Sequence, residues 1–291
     1  MLKRVSGRTG LLGLFGSPVG HSGSPAMYNF SFEHAGLDYV YLAFDVGIYD
    51  MKEALQAVRV LKMRGANVTM PCKNIAAELV DELSPAAQII GSVNTIVNDN
   101  GKLTGHVTDG IGFVRSLAEE GVEVKGKKLV VLGAGGAGTA VQVQCALDGA
   151  AAISIFNKED QFLERARNTA KKLARETPGC AVKVCDLDDA SLLAAEIAAA
   201  DILINATSIG MKPNDGETLV DKSLLRKDLI VADTVYNPEK TRMILEAEAN
   251  GCKAIGGKGM LLWQGAAAYN LYTGLEMPTA EYQKFQAEQA R

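Results

Sequence analysis

The feature that most constrains this chain is a glycine run between an apolar stretch and a stretch of small residues. Gly133, Gly135 and Gly138 satisfy the pattern G-x-G-x-x-G directly after the apolar residues 128–132. The first glycine permits a tight turn, the second lets the backbone approach a pyrophosphate, and the third allows a helix to pack closely on a strand. The N-terminus of the following helix would offer N–H groups and a favourable dipole to phosphate. We therefore predict a dinucleotide-binding turn over residues 133–138.

The pattern that follows this turn is a series of short apolar stretches separated by helical ones. The predicted strands are residues 153–156, 182–185, 202–205 and 229–233. Strands that alternate with helices predict a parallel, doubly wound sheet of the Rossmann type.

The part before residue 109 predicts a smaller α/β domain. Its predicted strands are residues 11–15, 39–46, 66–70, 93–98 and 102–107, and its predicted helices are residues 24–35, 51–62 and 74–83. Ser24 is a good N-cap and Pro25 suits a first helical position. Asp99-Asn100-Gly101 predicts a hairpin. We thus predict a first domain of residues 1–108, completed by C-terminal helices in 259–291, and a dinucleotide-binding domain of residues 109–258.

The composition argues against a partner nucleic acid, a membrane span, a disulfide framework and a metal site. The chain has 291 residues and a formal net charge of −4, which gives no electrostatic footprint for nucleic acid. No apolar run approaches the length of about 18 residues that a membrane span needs. The five cysteines lack a C-x-x-C spacing and the three histidines form no cluster, so we predict reduced thiols, a cytoplasmic location and no metal site.

The end of the strand after the glycine turn bears on the choice of cofactor. It reads Asn157-Lys158-Glu159-Asp160, with no carboxylate at the strand tip itself. Asn157 could bind a ribose hydroxyl and Lys158 could attract a 2′-phosphate, whereas Glu159 and Asp160 would repel that phosphate. One lysine against two carboxylates favours NAD, with NADP tolerated, although a merely solvated turn is the plain alternative.

Several polar residues of the first domain stand at predicted strand ends and helix starts. Ser22 and Ser24 could hold a carboxylate at a helix N-terminus, or Ser24 could only cap its helix. Lys73 follows a strand-end Thr69, but a lone lysine is usually a solvated surface residue. Asn94 and Asp109 could likewise serve only a turn and a helix start.

The chain resembles the shikimate dehydrogenase family, and within it the quinate/shikimate dehydrogenase branch. The motifs that carry the resemblance run nearly from end to end. They are Ser22-Gly23-Ser24-Pro25, Asn67-Val68-Thr69-Met70-Pro71-Cys72-Lys73, Gly91-Ser92-Val93-Asn94-Thr95, Thr108-Asp109-Gly110, Gly133 to Gly138, Asn205-Ala206-Thr207, Val235-Tyr236-Asn237-Pro238 and Gly259-Met260-Leu261-Leu262-Trp263-Gln264-Gly265-Ala266.

The resemblance implies a substrate domain followed by a Rossmann domain, and NAD(P)-dependent oxidation of the ring 3-hydroxyl of shikimate or quinate. Each matching position then carries an implied role. The implied catalytic pair is Lys73 and Asp109; the substrate-binding residues are Ser22, Ser24, Thr69, Asn94, Tyr236 and Gln264; the cofactor-binding residues are Gly133, Ala134, Gly135, Gly136, Ala137, Gly138, Asn157, Lys158, Asp160, Thr207, Gly259 and Met260. Family analogy also predicts a monomer or homodimer.

Two positions depart from the family pattern. Tyr28 stands where a histidine is common, and Val107 where an asparagine often precedes the Thr-Asp pair. The second basic residue that strongly NADP-dependent members carry is replaced by Gln161 and Phe162, which argues against exclusive use of NADP.

Two alternatives stay open. One is another two-domain dehydrogenase, acting on aminoshikimate or methylene-tetrahydrofolate. The other is a dinucleotide-binding regulator without catalysis, which would be expected to lack the Lys73–Asp109 pair.

Overall fold

The computed structural model describes residues 5–289, and the chain divides into two compact units. The first unit contains the residues up to Thr108 and those from Gly265 onward, and the second is Asp109–Gln264. The C-terminal segment that completes the first unit is predicted to begin at residue 259. In the structure, the C-terminal part of the first unit begins six residues later, at Gly265, inside a helix that spans Lys258–Thr273.

The first unit is built on a mixed six-stranded sheet. Its strands are β1 (Gly10–Gly16), β2 (Tyr39–Asp45), β3 (Gly65–Val68), β4 (Glu82–Leu83), β5 (Thr95–Asp99) and β6 (Lys102–His106), in the order β2-β1-β3-β5-β6-β4. Its helices are α1 (Ser24–His34), α2 (Met51–Val60), α3 (Lys73–Leu79) and α4 (Pro85–Ile90). The predicted hairpin between β5 and β6 is confirmed: Asn100 and Gly101 both have positive φ, at 56° and 97°.

The second unit is built on a fully parallel six-stranded sheet. Its strands are β7 (Lys128–Leu132), β8 (Ala152–Asn157), β9 (Ala181–Asp186), β10 (Ile202–Asn205), β11 (Ile230–Asp233) and β12 (Lys253–Ile255), in the order β12-β11-β10-β7-β8-β9. The helices that start in this unit are α5 (Asp109–Glu119), α6 (Gly136–Leu147), α7 (Gln161–Glu176), α8 (Ala190–Ala199), α9 (Arg242–Ala249) and α10 (Lys258–Thr273). The final helix of the first unit is α11 (Thr279–Gln289).

This strand order is that of a doubly wound dinucleotide-binding domain. The order reverses between β7 and β10, which are neighbours at the centre of the sheet. Ligands of such sheets bind outside the carboxyl ends of the strands at that point of reversal. The predicted fold class, α/β with a Rossmann-type domain, is therefore confirmed.

The two cores differ in character. In the first unit, buried aromatic rings stack: Tyr28 lies 4.5 Å from Tyr41, and Phe32 lies 5.5 Å from Tyr269, between ring centroids. In the second unit, aliphatic side chains of the strands pack against α8 and α9 instead. Within residues 5–289, no helix is long and apolar enough to cross a membrane.

The helix predicted for residues 74–83 is wrong in its second half. Helix α3 ends at Leu79, Val80 is extended, and Glu82–Leu83 form β4 beside β6. The cause is tertiary: the Asp81 carboxylate accepts the Leu103 N–H at 2.6 Å and also binds Arg59. Those hydrogen bonds hold Asp81 in an extended segment against the sheet.

The predicted capping role of Ser24 is also wrong. Gly23 occupies the N-cap of α1, and no side chain caps the helix there. The oxygen that meets the first turn belongs to Ser22, whose Oγ accepts the Ser24 N–H at 3.2 Å.

His106 makes the first unit sensitive to acid. Burial lowers the pKa of His106 below its ordinary value of 6.5, so the folded chain resists a proton that the unfolded chain accepts. This contribution to stability is then fully present above the ordinary value and is lost as the pH falls from there through the lower pKa of the folded state. We expect the urea midpoint to fall between about pH 8 and about pH 5.5, and to fall less in His106→Gln. An equal drop in both proteins would contradict this role for His106.

Candidate active site

The predicted site residues of the first unit share one edge of its sheet. Loops leave the carboxyl ends of the neighbouring parallel strands β1 and β3, and the Thr69 N–H donates to the Phe15 carbonyl at 2.8 Å. Strand β5 runs antiparallel to β3 and so begins at this edge, where the Val68 N–H donates to the Asn94 carbonyl at 2.8 Å. Ser22, Ser24, Thr69, Lys73 and Asn94 therefore all belong to segments that start at the same edge.

Two buried asparagines hold this edge together. Asn67 donates through Nδ2 to the Asn94 carbonyl and to Thr95 Oγ1, and it accepts the Tyr41 hydroxyl at 2.9 Å. Asn94 accepts the Thr108 N–H at 2.9 Å through Oδ1 and donates to Thr108 Oγ1 at 3.0 Å. The sequence left two roles open for Asn94, a contact with substrate and hydrogen bonding within a turn. The structure shows that its amide also fixes Thr108, the residue directly before Asp109.

Lys73 and Asp109 are each the first residue of a helix. Lys73 begins α3, and its carbonyl accepts the Val93 N–H at 3.0 Å, which ties the start of α3 to the segment before Asn94. Asp109 begins α5 in the second unit. The next residue, Gly110, lies so close to α6 that an added Cβ would be 2.4 Å from the Ala140 carbonyl oxygen. Glycine at this position lets the start of α5 approach the helix of the glycine turn.

Tyr28, the departure from the family pattern, has a structural role. It is buried, and its hydroxyl donates to the Gly265 carbonyl of α10 at 3.1 Å. Helices α1 and α10 also touch through Met27, whose Cε would lie 2.3 Å from a Cβ at Gly265. Burial raises the pKa of the Tyr28 hydroxyl well above its usual range, so it stays protonated as a donor.

The glycine turn of the second unit has the geometry that a pyrophosphate needs. Gly133 has φ +102°, and an added Cβ would lie 2.7 Å from Thr207 Cγ2, so only glycine fits without strain. A Cβ at Gly138 would lie 2.3 Å from the Gly133 oxygen, which shows how closely α6 packs on the turn. Apart from the adjoining backbone, no atom of residues 5–289 lies within 4 Å of a Cβ placed at Gly135 or Gly136. The backbone is thus open on the side where phosphate oxygens would approach.

Asn157 at the end of β8 is tied into this turn. Its Oδ1 accepts the Ala134 N–H at 3.0 Å, and its Nδ2 donates to the Lys158 carbonyl at 2.7 Å and to Asp160 Oδ1 at 2.8 Å. Both amide hydrogens are therefore used inside the protein, so a ribose could meet only the amide oxygen. Asp160 also caps α7 by accepting the Phe162 N–H at 2.8 Å. Lys158 and Glu159 are exposed beside it.

The remaining predicted cofactor residues lie beyond β10 and at the start of α10. Thr207 donates to Asn205 Oδ1 at 2.7 Å and lies against the glycine turn. A Cβ at Gly259 would lie 2.8 Å from the Ser116 Cβ, so α10 packs closely on α5. Met260 is buried next to it.

Two predicted substrate residues belong to the second unit rather than the first. Tyr236 follows β11 and is 52% exposed. Gln264 is the last residue of the unit, and its Nε2 donates to the Leu261 carbonyl at 3.1 Å within α10. One residue earlier, the ring of Trp263 lies 4.9 Å from the guanidinium carbon of Arg115 on α5.

Gln142 supports the glycine turn from α6, and its role was not predicted from the sequence. It is fully buried on α6 and donates through Nε2 to the Gly133 carbonyl at 2.9 Å. Its Oε1 has no hydrogen-bond partner among the described residues. A glutamine amid the buried small residues of this helix was the signal that could have found it.

The fold and the glycine turn together define a protein with a Rossmann-type dinucleotide-binding domain. Models of known protein families show which family within this class the chain matches. The model of the shikimate dehydrogenase substrate binding domain matches residues 14–96, that of shikimate / quinate 5-dehydrogenase matches residues 116–226, and that of the shikimate 5′-dehydrogenase C-terminal domain matches residues 257–281.

Individual relatives match nearly the whole chain. A shikimate dehydrogenase (NADP(+)) of Listeria innocua is 49% identical over 277 residues, which are 95% of each chain. The structure of shikimate 5-dehydrogenase from Listeria monocytogenes in complex with shikimate and NAD is 47% identical, with a TM-score of 0.95 over 98% of this chain and 99% of that one. Quinate dehydrogenase from Corynebacterium glutamicum in complex with NAD is 34% identical, with a TM-score of 0.85 over 96% and 99% of the two chains. The chain belongs to the shikimate dehydrogenase family.

The open space at Gly135 gives a test of the glycine turn. In Gly135→Ala the new methyl group meets no protein atom, so the melting temperature should stay within about 2 °C of that of the parent. The same methyl group would obstruct a pyrophosphate, so the dissociation constant for a nicotinamide dinucleotide should rise about tenfold or more by calorimetry. Gly179→Ala, at another open position of the second unit, is the control. Equal affinity in both variants would exclude a pyrophosphate at this turn.

Proposed function

We propose that this chain oxidises the ring 3-hydroxyl of shikimate reversibly to the ketone, with a nicotinamide dinucleotide as hydride acceptor. The observation that carries the proposal is the polar edge of the first sheet, where Ser22, Ser24, Thr69, Lys73 and Asn94 stand on segments that begin together. Relatives that match 95% or more of this chain are named shikimate dehydrogenase, which supports the same substrate.

The substrate carboxylate and hydroxyls have matching groups on the protein. Ser22 and Ser24 flank the start of α1, where hydroxyls and a helix N-terminus favour an anion. Thr69, Asn94, Gln264 and Tyr236 are proposed to orient the ring through its hydroxyl and carboxylate groups. A pocket of buried hydroxyl and amide groups rejects analogues that lack a hydroxyl, because its own polar groups would be left unpaired. It discriminates less between shikimate and quinate, which both keep the hydroxyls, so quinate is proposed as a second substrate.

Lys73 is proposed to carry the proton. When the ring C3 gives up its hydrogen with the electron pair, the C3 hydroxyl must lose a proton as the C=O bond forms. The bound dinucleotide supplies the hydride acceptor. The Lys73 amine takes the hydroxyl proton in this direction and returns it when the ketone is reduced, while the Asp109 carboxylate is proposed to orient the amine by accepting a hydrogen bond from it.

NAD is proposed as the preferred cofactor, with NADP tolerated. The start of α7 is already occupied by the Asp160 carboxylate, which accepts the Phe162 N–H that a 2′-phosphate would otherwise use. Glu159 adds a second exposed carboxylate beside the single Lys158. The Listeria innocua relative is named for NADP(+), whereas the Listeria monocytogenes structure contains NAD, so relatives support both cofactors.

An assay of shikimate and quinate with NAD and NADP tests substrate and cofactor together. We expect turnover of shikimate with both cofactors and a higher kcat/KM with NAD. Glu159→Lys replaces a repulsive charge by an attractive one, so it should shift the NADP/NAD ratio of kcat/KM toward NADP by about tenfold. Glu123→Lys makes the same charge change at an exposed position before β7 and should leave the ratio unchanged. No turnover of either acid would overturn the proposed function, and a preference of the parent for NADP would overturn the cofactor proposal.

Lys73→Met tests the proton carrier. It removes the amine and keeps the aliphatic chain, so kcat for shikimate should fall about 10²–10⁴-fold while the dissociation constant for NAD stays unchanged. Lys52→Met, on the exposed side of α2, should keep full turnover. Normal turnover in Lys73→Met would remove Lys73 from the mechanism.

A further inference from the structure

The carboxylate of Asp233 lies at the end of β11 and is almost completely buried, at 1% exposure. It makes hydrogen bonds to three separate places in the second unit. Its Oδ1 accepts the Asn205 Nδ2–H at 3.0 Å and the Val235 N–H at 2.9 Å, and its Oδ2 accepts the Thr241 hydroxyl at 2.6 Å.

The first of these hydrogen bonds reaches the loop after β10. Asn205, which is buried, uses Oδ1 to accept both the N–H and the hydroxyl of Thr207, at 3.2 and 2.7 Å. Its Nδ2 also donates to the Ile209 carbonyl at 3.1 Å. Asp233 therefore fixes the amide that fixes Thr207, one of the residues proposed to contact the cofactor.

The second hydrogen bond fixes the loop after β11 and, through it, the start of α10. The carbonyl of Val235 accepts the Gly257 N–H at 3.2 Å. A Cβ at Gly257 would lie 2.5 Å from the Thr234 carbonyl oxygen, so the two backbones are in direct contact. The segment that carries Gly259 and Met260 is thereby attached to the loop after β11. Asp233 holds this loop, and the loop also carries Tyr236.

The third hydrogen bond involves the first turn of α9. Thr241 is the N-cap of α9, and its Oγ1 accepts the Ile244 N–H at 3.4 Å while it donates to Asp233. An ionised carboxylate only accepts hydrogen bonds, so it suits a position where an amide, a backbone N–H and a hydroxyl all donate. Burial raises the pKa of Asp233, and the three hydrogen bonds oppose that rise.

We propose that Asp233 is a positioning residue for the nicotinamide half of the dinucleotide. In a doubly wound sheet the two mononucleotide halves bind at the two halves of the sheet. The glycine turn and Asn157 stand at the β7–β8 half, whereas Thr207, Tyr236 and Gly259 stand on loops of the β10–β11–β12 half. Asp233 bonds to segments of the second half only. The inference rests on the proposed function, because it requires that the chain binds a nicotinamide dinucleotide.

The inference predicts a selective loss, which calorimetry can measure with NAD and with ADP-ribose, a probe that lacks the nicotinamide. Asp233→Asn replaces one acceptor oxygen by a donor and removes the charge while keeping the shape. The dissociation constant for NAD should rise about tenfold, whereas that for ADP-ribose should change less than about twofold. With shikimate, kcat should fall as well, because the ring that accepts the hydride is less well oriented.

A milder variant and a matched control separate this role from general stability. Thr241→Val removes one of the three hydrogen bonds together with the cap of α9, and should show the same selectivity to a smaller degree. Asp189→Ala removes the cap of α8, where Asp189 accepts the Leu192 N–H, and lies outside the three segments. It should lower the melting temperature and leave both dissociation constants unchanged.

Each possible result either supports or overturns the positioning role of Asp233. Weakened NAD with unchanged ADP-ribose supports the inference. Unchanged NAD in Asp233→Asn and Thr241→Val overturns it, and so does an equal loss of NAD and ADP-ribose, which would show a purely structural carboxylate. A parent protein that binds ADP-ribose and NAD but oxidises no shikimate would overturn the proposed substrate and leave the role of Asp233 standing. A parent that binds neither would overturn both.

Discussion

Both sheets depend on one constraint: the loops at the strand ends bury backbone polar groups that need hydrogen-bond partners. Buried asparagines meet this need in each unit. Asn67 and Asn94 do so in the first, and Asn157 and Asn205 do so in the second. An asparagine carries a donor and an acceptor on a short side chain, so it can join a loop to its neighbour where no regular ladder continues. These amides hold the backbone at Thr108, at Ala134 of the glycine turn and at Thr207.

The need to pair buried backbone groups also accounts for part of the polar character of the sequence motifs. A sequence motif such as the Asn94-Thr95 pair is easily assigned to the ligand, because ligands need polar groups. In the structure, much of the hydrogen-bonding capacity of Asn94 and Asn157 is used inside the protein. Their effect on a substrate or cofactor would then be partly indirect, through Thr108 in one case and the glycine turn in the other.

Local sequence patterns were sufficient where the structure is decided locally. Strands β7 to β11 of the Rossmann sheet, the turn at Gly133 and the hairpin at Asn100 each follow from apolar runs and from residues that accept positive φ, whereas the short edge strand β12 was not predicted. Prediction failed where a distant partner decides the outcome. The helix over 74–83 stops because Asp81 bonds to Leu103 and Arg59, which are remote in sequence. The buried roles of Gln142 and Asp233 were missed for the same reason, although a carboxylate that ends an apolar parallel strand is a usable signal.

The contact between Arg115 and Trp263 has a practical consequence. This indole is the chain's only tryptophan, and it lies under a guanidinium at the place where α5 and α10 pack together. Helix α5 begins with Asp109, and α10 carries Gly259 and Met260. Under excitation that tyrosine does not absorb, the ultraviolet emission of the native chain therefore comes from a single indole beside these helices. Binding of a ligand beside α5 and α10 could be followed through the fluorescence of this tryptophan, without attaching a dye.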